Sequence, residues 1–230
     1  SSVPFPNGAK SPTLAILDNG NIYAAWSQTS LVDNTNSPAD IYMTAFNPNM
    51  DRVIDIMRVN NLDVGIQEDP RIAVLPNQNI VVVWNSREPN VSLSGGIYGR
   101  VYDELGEPLT NSFLISDLSS LGLSSDSSLQ AAPTVTALDN SGFVVAWADT
   151  YHSDASNDGI YARAFDSETV PYDVFKVNSH AHNYSQPSVA ATEDGGFIIV
   201  STNDNSVYGQ RYDSDSHAIG NVSLDLKHNI

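Results

Sequence analysis

The chain has 230 residues, of which 41% are hydrophobic and 16% charged, enough apolar material for a packed core and too little charge for a disordered chain. Lys and Arg number 10 against 27 Asp and Glu, which gives a formal net charge of −17. Such a surface repels phosphate backbones and anionic lipids, so we expect no nucleic acid and no membrane partner, and we favour cations, neutral sugars or basic proteins.

A unit of four predicted strands repeats four times along the chain. The first block of each unit follows the pattern Pro-x-Val-Ala-x-x-x-Asp/Asn-Gly-x-Phe/Ile-Val-Val-Ala-Trp, and the fourth copy keeps the pattern but loses the Trp. The copies occupy residues 12–26, 70–84, 133–147 and 187–201. The steps between their first prolines are 58, 63 and 54 residues. Four copies make chance a poor explanation, and a period of this size defines the fold.

Each first block predicts two strands, A and B, joined by a tight turn. The turns contain Asn, Asp and Gly, which tolerate the positive φ of hairpin turns. They lie at residues 18–21, 76–79, 139–142 and 193–196. β-Branched and aromatic residues fill the strands and no helical period is present, so the sequence predicts an all-β protein.

A second block, typified by Gly-Ile-Tyr-Gly-Arg-Val-Tyr-Asp, predicts a third strand, C. Its copies lie at residues 40–47, 96–103, 159–166 and 206–213. A short run after each copy predicts a fourth strand, D, at residues 56–60, 113–116, 174–178 and 222–226. Neither set of alternate residues in strand C is polar, so we expect each sheet to be covered on both faces.

These features predict a small β-propeller of four four-stranded antiparallel blades, in which small residues on one face accept bulky residues from the next blade. The single repeat domain covers residues 1–230, with blades at about 11–60, 69–116, 132–178 and 186–226. A solenoid and a two-sheet sandwich are weaker alternatives, the sandwich because it would expose a polar face on each sheet. Because each unit carries its own strands, we expect side chains of the first and fourth units to close the ring.

The two blocks resemble the blade repeats of large secreted bacterial surface proteins, including repeats-in-toxin-type adhesins, over most of residues 12–213. They are more loosely similar to the blades of sialidase-like propellers. The first resemblance implies a bacterial binding or spacer module that lies outside the cell or on its surface. The Ser-x-Asp-x-Gly-x-Thr-Trp box of the sialidases is absent, and four blades are fewer than the six of those enzymes.

The B–C and D–A loops are long and dissimilar, whereas the A–B and C–D turns are short. The long loops share one face of a propeller, and variable loops on a rigid scaffold are where function usually lies. We therefore expect the ligand-binding residues to lie in two of the B–C loops. The candidates are Asn85, Arg87, Asp149, Tyr151, His152, Asp154 and Asp158.

The acidic loop at residues 149–158 offers oxygen ligands that could hold Ca²⁺. Its spacing lacks the order of an EF-hand loop, so a solvated acidic loop is the favoured interpretation and Ca²⁺ stays an open alternative. His180 and His182 lack a third ligand for zinc. Asp213 and Asp215 align with the C–D turns and are interpreted as turn residues.

The repeated Trp and Arg residues are interpreted as parts of the scaffold. Trp26, Trp84 and Trp147 recur at one position of the unit, which favours core packing over stacking on a sugar. Arg100 and Arg163 lie between aromatic residues of strand C. We expect these two side chains to stack within the blade or to pair with an acid of a neighbouring blade.

No catalytic motif stands out, since the sequence lacks Gly-x-Ser-x-Gly and His-Glu-x-x-His and has too many acids for one pair to be recognised. The absence of Cys excludes disulfides and thiol chemistry. Ser1 and the lack of an apolar signal segment indicate a cleaved leader or a piece of a larger chain. The sequence favours a non-catalytic binding or adhesion module for a glycan or protein. The alternatives are a glycan-processing hydrolase that uses the same face and a pure spacer.

Overall fold

The computed structural model describes eight stretches of the chain. They are residues 8–29, 39–61, 65–87, 95–123, 128–150, 157–178, 184–203 and 206–220. These residues form four separate four-stranded sheets, and in each sheet the strands pair antiparallel in chain order. The prediction of an all-β propeller with four antiparallel blades is confirmed. The described part of the chain contains no helix long and apolar enough to cross a membrane.

The sixteen strands are numbered in chain order, four to a blade. The first blade contains β1 (Ala9–Ile16), β2 (Ile22–Thr29), β3 (Ala39–Phe46) and β4 (Arg52–Arg58). The second contains β5 (Ile66–Val74), β6 (Ile80–Arg87), β7 (Gly95–Tyr102) and β8 (Phe113–Leu114). The third contains β9 (Leu129–Ala137), β10 (Phe143–Thr150), β11 (Gly159–Phe165) and β12 (Phe175–Lys176). The fourth contains β13 (Tyr184–Ala191), β14 (Phe197–Asn203), β15 (Ser206–Tyr212) and β16 (Ala218–Ile219). One 3₁₀ turn, Ser119–Leu121, precedes β9.

The sequence predicted that the first strand of each blade begins at the repeat proline. In the structure this strand begins three or four residues earlier. A bulge makes this possible: Ser11 and Pro12 together oppose Trp26, between the pairs Lys10–Ser27 and Thr13–Ala25. The other three blades have the same irregularity at the same place. The residues before the prolines take positive φ, namely Ser11, Asp69, Ala132 and Gln186. A proline in mid-strand is tolerated because the bulge removes the need for its missing N–H.

The A–B turns have the predicted hairpin geometry, with one residue at positive φ in each. Gly20 and Gly195 occupy this position in the first and fourth blades. Gln78 and Ser141 occupy it in the second and third blades, with φ of 66° and 64°. The turn therefore adopts the left-handed conformation even at Gln78 and Ser141, whose side chains make that conformation unfavourable.

Consecutive blades pack face to face through three apolar interfaces. Each interface joins one alternate set of residues in a blade to the other set in the next. The first includes Tyr23, Met43, Ile80 and Trp84; the second includes Val83, Ile97, Val145 and Trp147; the third includes Ala146, Ala162, Phe197 and Ile199. Small and β-branched residues of one blade thus accept aromatic residues of the next, as the alternation in strand C indicated.

The repeated Trp residues are buried, as predicted, and Trp84 and Trp147 belong to the first and second of these interfaces. Trp26, Trp84 and Trp147 are at most 1% exposed. Each stacks on a tyrosine of strand C, with ring centroids 6.3 to 6.4 Å apart. These indoles therefore cannot offer a ring face to a sugar in solution.

Among the described residues, the first blade and the fourth each have one face on which no neighbouring blade packs extensively. The innermost strands pack in the order β1, β5, β9, β13. Within the described residues, no strand of the first blade packs extensively against the fourth. Leu14 is 63% exposed, whereas its repeat equivalents Ile72 and Val189 are 8% and 9% exposed. In the part of the chain that the structure describes, the side-chain contact expected between the first and fourth units is therefore slight, and no blade covers the face that carries Leu14. The run predicted as the last strand D, residues 222–226, lies outside the described residues.

Candidate functional site

Of the four candidate ligand-binding residues that the structure describes, three lie on strands, whereas the sequence predicted loops for them. Asn85 and Arg87 belong to the last part of β6, and Asp149 belongs to β10. Asp158 immediately precedes β11. Tyr151, His152 and Asp154 lie outside the described residues. The assignment of these residues to ligand binding stays a prediction. The structure corrects their setting, because strand B continues beyond the position of the repeat Trp in each blade.

A polar cleft opens between the first and second blades, where β1 and β5 begin. Its volume is about 230 Å³, and its walls include Lys10, Gln28 and Glu68. The Gln28 side chain is buried and accepts a hydrogen bond from the Trp26 indole, with an Nε1–Oε1 distance of 3.1 Å. The residues that line the cleft thus include one with an ammonium, one with an amide and one with a carboxylate side chain.

Two carboxylates follow one another in β5, and the first of them lines this cleft. Glu68 lines the cleft and forms an ion pair with Arg87. Asp69 occupies the bulge of β5, and its Oδ1 accepts a hydrogen bond of 2.7 Å from the Ser11 hydroxyl. Ser11 is the bulge residue of β1, so this contact crosses from the first blade to the second. Bulges often re-aim side chains at functional sites, and here two bulges bring their side chains together.

The dipeptide before the repeat proline differs in every blade although its backbone geometry is the same. The four versions are Lys10-Ser11, Glu68-Asp69, Ala131-Ala132 and Ser185-Gln186. Charged side chains occur in the first and second blades, which are the two that form the cleft. The sequence reasoning missed Lys10, Glu68 and Asp69 because it treated the strand as beginning at the proline. The sequence did contain a signal for these residues. The dipeptide before the proline varies chemically from copy to copy, although the proline next to it is the same in all four.

A second polar group lies between the second and third blades. Asp149 is fully buried, and its Oδ2 accepts long hydrogen bonds of 3.4 Å from Gln130 and Ser128. Gln130 also accepts a hydrogen bond from the Ser116 hydroxyl of the second blade. That hydroxyl in turn accepts from the Ile97 amide at 2.9 Å. Asp149 is therefore part of an internal polar network and not of a solvated acidic loop.

The carboxylates around the third blade affect a buried tyrosine. Burial, followed by the negative charges of Asp149 and Asp158, raises the pKa of Tyr161 above its ordinary value. Its hydroxyl donates to the Asn157 carbonyl at 2.6 Å. Tyr161 thus stays a neutral donor over the whole physiological pH range, which excludes it as a phenolate base.

No metal cluster can be assigned in the described part of the chain. There, no three His, Asp or Glu side chains come together in a way that could hold an ion. His180 and His182 lie outside the described residues. The Asp213 turn is confirmed as a turn, because its carboxylate accepts the amides of Asp215 and His217 at 3.0 and 2.8 Å.

Comparison with known proteins gives matches at the level of structure. No protein-family model matches the chain, and no curated protein matches it by sequence. A thermostable family-43 glycoside hydrolase superposes with a TM-score of 0.58 at 12% identity, covering 96% of this chain and 77% of the other. An α-L-arabinanase of Penicillium chrysogenum, solved with arabinobiose, gives 0.61 at 13% identity, covering 92% and 66%. A protein of unknown function from Dyadobacter fermentans gives 0.66 at 11% identity, covering 99% and 66%.

The likeness establishes the propeller fold. At these identities it carries nothing about activity, since one fold hosts many functions. The looser resemblance to propeller enzymes seen in the sequence is thereby supported as a resemblance of fold. The resemblance to repeats-in-toxin-type adhesins finds no support in these matches.

Proposed function

We propose that the protein is a glycan-processing hydrolase whose substrate enters the cleft between the first and second blades. The observation that carries the proposal is a pair of consecutive carboxylates: Glu68 in the lining of a polar cleft of about 230 Å³, and Asp69 next to it in the chain. Most glycoside hydrolases use two carboxyl groups on either side of the scissile bond. The sequence alone favoured a non-catalytic module, because these carboxylates could not be singled out from 27 acidic residues.

Size and polarity support a sugar as the ligand. The cleft is smaller than the roughly 300 Å³ at which pockets for drug-sized ligands begin, and it can take a single sugar ring. Lys10 and Gln28 can donate hydrogen bonds to hydroxyls, and Glu68 can accept them. A net charge of −17 disfavours acidic polysaccharides, so a neutral glycan is the proposed substrate class. The fold supports this direction, since two of the similar structures are a glycoside hydrolase and an arabinanase.

The test is hydrolysis of a panel of 4-nitrophenyl glycosides, with α-L-arabinofuranoside and the common α- and β-pyranosides included. We expect at least one to be cleaved, and Glu68→Gln and Asp69→Asn to lower kcat/KM by about 10²- to 10⁴-fold. Glu193→Gln is the matched control, because Glu193 lies in an A–B turn at the opposite end of the strands. Failure of the wild-type protein to cleave any glycoside would overturn the proposal.

A non-catalytic glycan-binding module is the second candidate. One observation favours it: both carboxylates already have partners within the protein, Arg87 for Glu68 and Ser11 for Asp69. Calorimetric titration with arabino-oligosaccharides and with the free sugars of the panel separates the two candidates. Binding without turnover would select the binding module.

A further inference from the structure

Three buried polar atoms lack a hydrogen-bond partner at one end of the second and third blades. They are Asn85 Oδ1, Arg87 Nε and Trp147 Nε1, as judged within the part of the chain that the structure describes. Leaving a buried donor or acceptor unsatisfied costs about 1–3 kcal/mol. Native proteins contain few such groups, and a bound partner is one explanation for several of them in one place.

The three atoms lie on facing surfaces. Asn85 and Arg87 alternate with Val83 along β6 and share its face, and Val83 packs against Trp147 in the core between the two blades. Asn85 also pairs directly with Ile97, another member of that core. The acceptor of the second blade and the indole donor of the third blade therefore point into the same interface.

The repeat shows what the Trp147 indole lacks. In the second blade the Trp84 indole donates to Gln67 Oε1 at 2.7 Å. Gln130 occupies the position equivalent to Gln67, since each pairs with the second residue after the repeat Trp. In the third blade, however, the Gln130 amide bonds Ser116 and Asp149. The third blade has thus diverted the glutamine that satisfies the same indole in the second.

We infer that this interface binds one hydroxyl group of the glycan, between Asn85 and Trp147. A hydroxyl donates to Asn85 Oδ1 through its hydrogen and accepts from Trp147 Nε1 or Arg87 Nε through its lone pairs. A carboxylate or phosphate has no hydrogen for Asn85 and meets the Asp149 carboxylate nearby, and an ammonium group has no lone pair for the indole. The site therefore selects neutral polyols.

Arg87 lies at the exposed end of this hydroxyl site. Its side chain is 40% exposed, and its Nη2 pairs with Glu68, which lines the cleft. A sugar that approaches this end of the second and third blades thus meets Arg87 first and the buried Asn85 and Trp147 behind it. The inference rests on the proposed function only in taking the ligand to be a glycan.

The test uses protein labelled with ¹⁵N at the three Trp indoles and titrated with L-arabinose, D-xylose, D-galactose, D-glucose and D-mannose. Trp26→Phe and Trp84→Phe assign two of the indole signals, and the third belongs to Trp147. We expect at least one sugar to shift the Trp147 signal while the Trp26 and Trp84 signals stay in place. Asn85→Leu should weaken the affinity measured in this titration at least tenfold, and Trp84→Phe should change it less than twofold.

Two results overturn the inference. One is a Trp147 signal that no sugar shifts, in which case the interface holds structural water alone. The other is sugar binding with unchanged affinity in Asn85→Leu. Neither result depends on turnover, so the two proposals can fail separately. If Glu68→Gln loses glycoside cleavage and no sugar shifts the Trp147 signal, only the hydroxyl site is disproved. A shifted Trp147 signal without cleavage of any glycoside removes only the hydrolase.

Discussion

Arg100 joins the second blade to the carbonyl of Val59 at the end of the first. Its Nη1 donates to the Val59 oxygen at 2.8 Å, and its Nε donates to the Thr110 carbonyl of its own blade at 2.9 Å. The guanidinium also lies over the Tyr102 ring, 5.4 Å from the centroid. Stacking within the blade was predicted from the sequence and is confirmed. The partner in the neighbouring blade is a backbone carbonyl and not the expected acid.

Replacement of Arg100 by Gln, the residue at the equivalent position of the fourth blade, should remove this link. We expect a loss of about 1–3 kcal/mol in the free energy of unfolding, because hydrogen bonds from a charged donor are lost and a partly buried carbonyl is left with fewer donors. Arg71→Gln is the control, since the Arg71 side chain bonds the adjacent Pro70 carbonyl. Urea unfolding measures both variants. An equal loss in the two would contradict a role for Arg100 between blades.

Substitutions at Leu14 and Ile72 test whether the face of the first blade that carries Leu14 is exposed in solution. The two residues occupy the same position of the repeat but differ strongly in exposure. Ile72→Ala should cost about 2–4 kcal/mol, since the side chain is 8% exposed and its removal leaves a cavity. Leu14→Ala should change stability by about 0.5 kcal/mol or less, since that side chain is 63% exposed. Thermal and urea unfolding give both values. A large loss in Leu14→Ala would show that another surface covers this face in solution.

The repeat made the fold predictable. Strand order, the A–B turns and the burial of Trp26, Trp84 and Trp147 all follow from residues that recur at fixed positions, because each copy must solve the same packing problem. The blade architecture likewise follows from strand C, in which neither alternate set is a simple polar face. Comparing the four copies within the one sequence thus showed which residues recur at fixed positions, which a single unit could not have shown.

The candidate site was less predictable, for physical reasons. The bulge at Asp69 carries neither Gly nor Asn, so nothing in its composition announces a positive φ. The extension of β6 and β10 past the repeat Trp residues placed Asn85 and Asp149 on strands, because the ladder continues for as long as the partner strands run beside it. Contacts such as Ser11 to Asp69 join residues 58 positions apart and depend on how two blades are placed.

Alkaline pH should destabilise the protein through two buried tyrosines. Burial is the main cause that raises the pKa of Tyr102 and of Tyr23 to about 12, and both hydroxyls donate to backbone carbonyls. A folded pKa above the unfolded value of 10 favours the neutral phenol in the folded state. The stabilisation is therefore complete below pH 10 and is lost as the pH rises from 10 to 12.

Absorbance at 295 nm checks this titration. We expect a late tyrosinate step near pH 12 that coincides with falling stability and shrinks in Tyr102→Phe. For Tyr102 the contribution lost by pH 12 is about 2 kcal/mol. Ionisation of all ten tyrosines in one step near pH 10, before any unfolding, would rule the effect out.

The bulge at Ala132 gives the last prediction. Ala132 has a φ of 52° and precedes Pro133, so its Cβ is held in the left-handed region that L-residues avoid at a cost of roughly 1–2 kcal/mol. Ala132→Gly removes this strain but adds entropy to the unfolded chain, which costs about 0.5–1 kcal/mol. The net change should lie between neutral and about 1 kcal/mol of added stability. Ala137→Gly, on the same strand β9 but without a positive φ, carries the entropy cost alone and should lose about 0.5–1 kcal/mol or more. Urea unfolding of the two variants gives the comparison, and equal losses would mean that the bulge at Ala132 stores no strain.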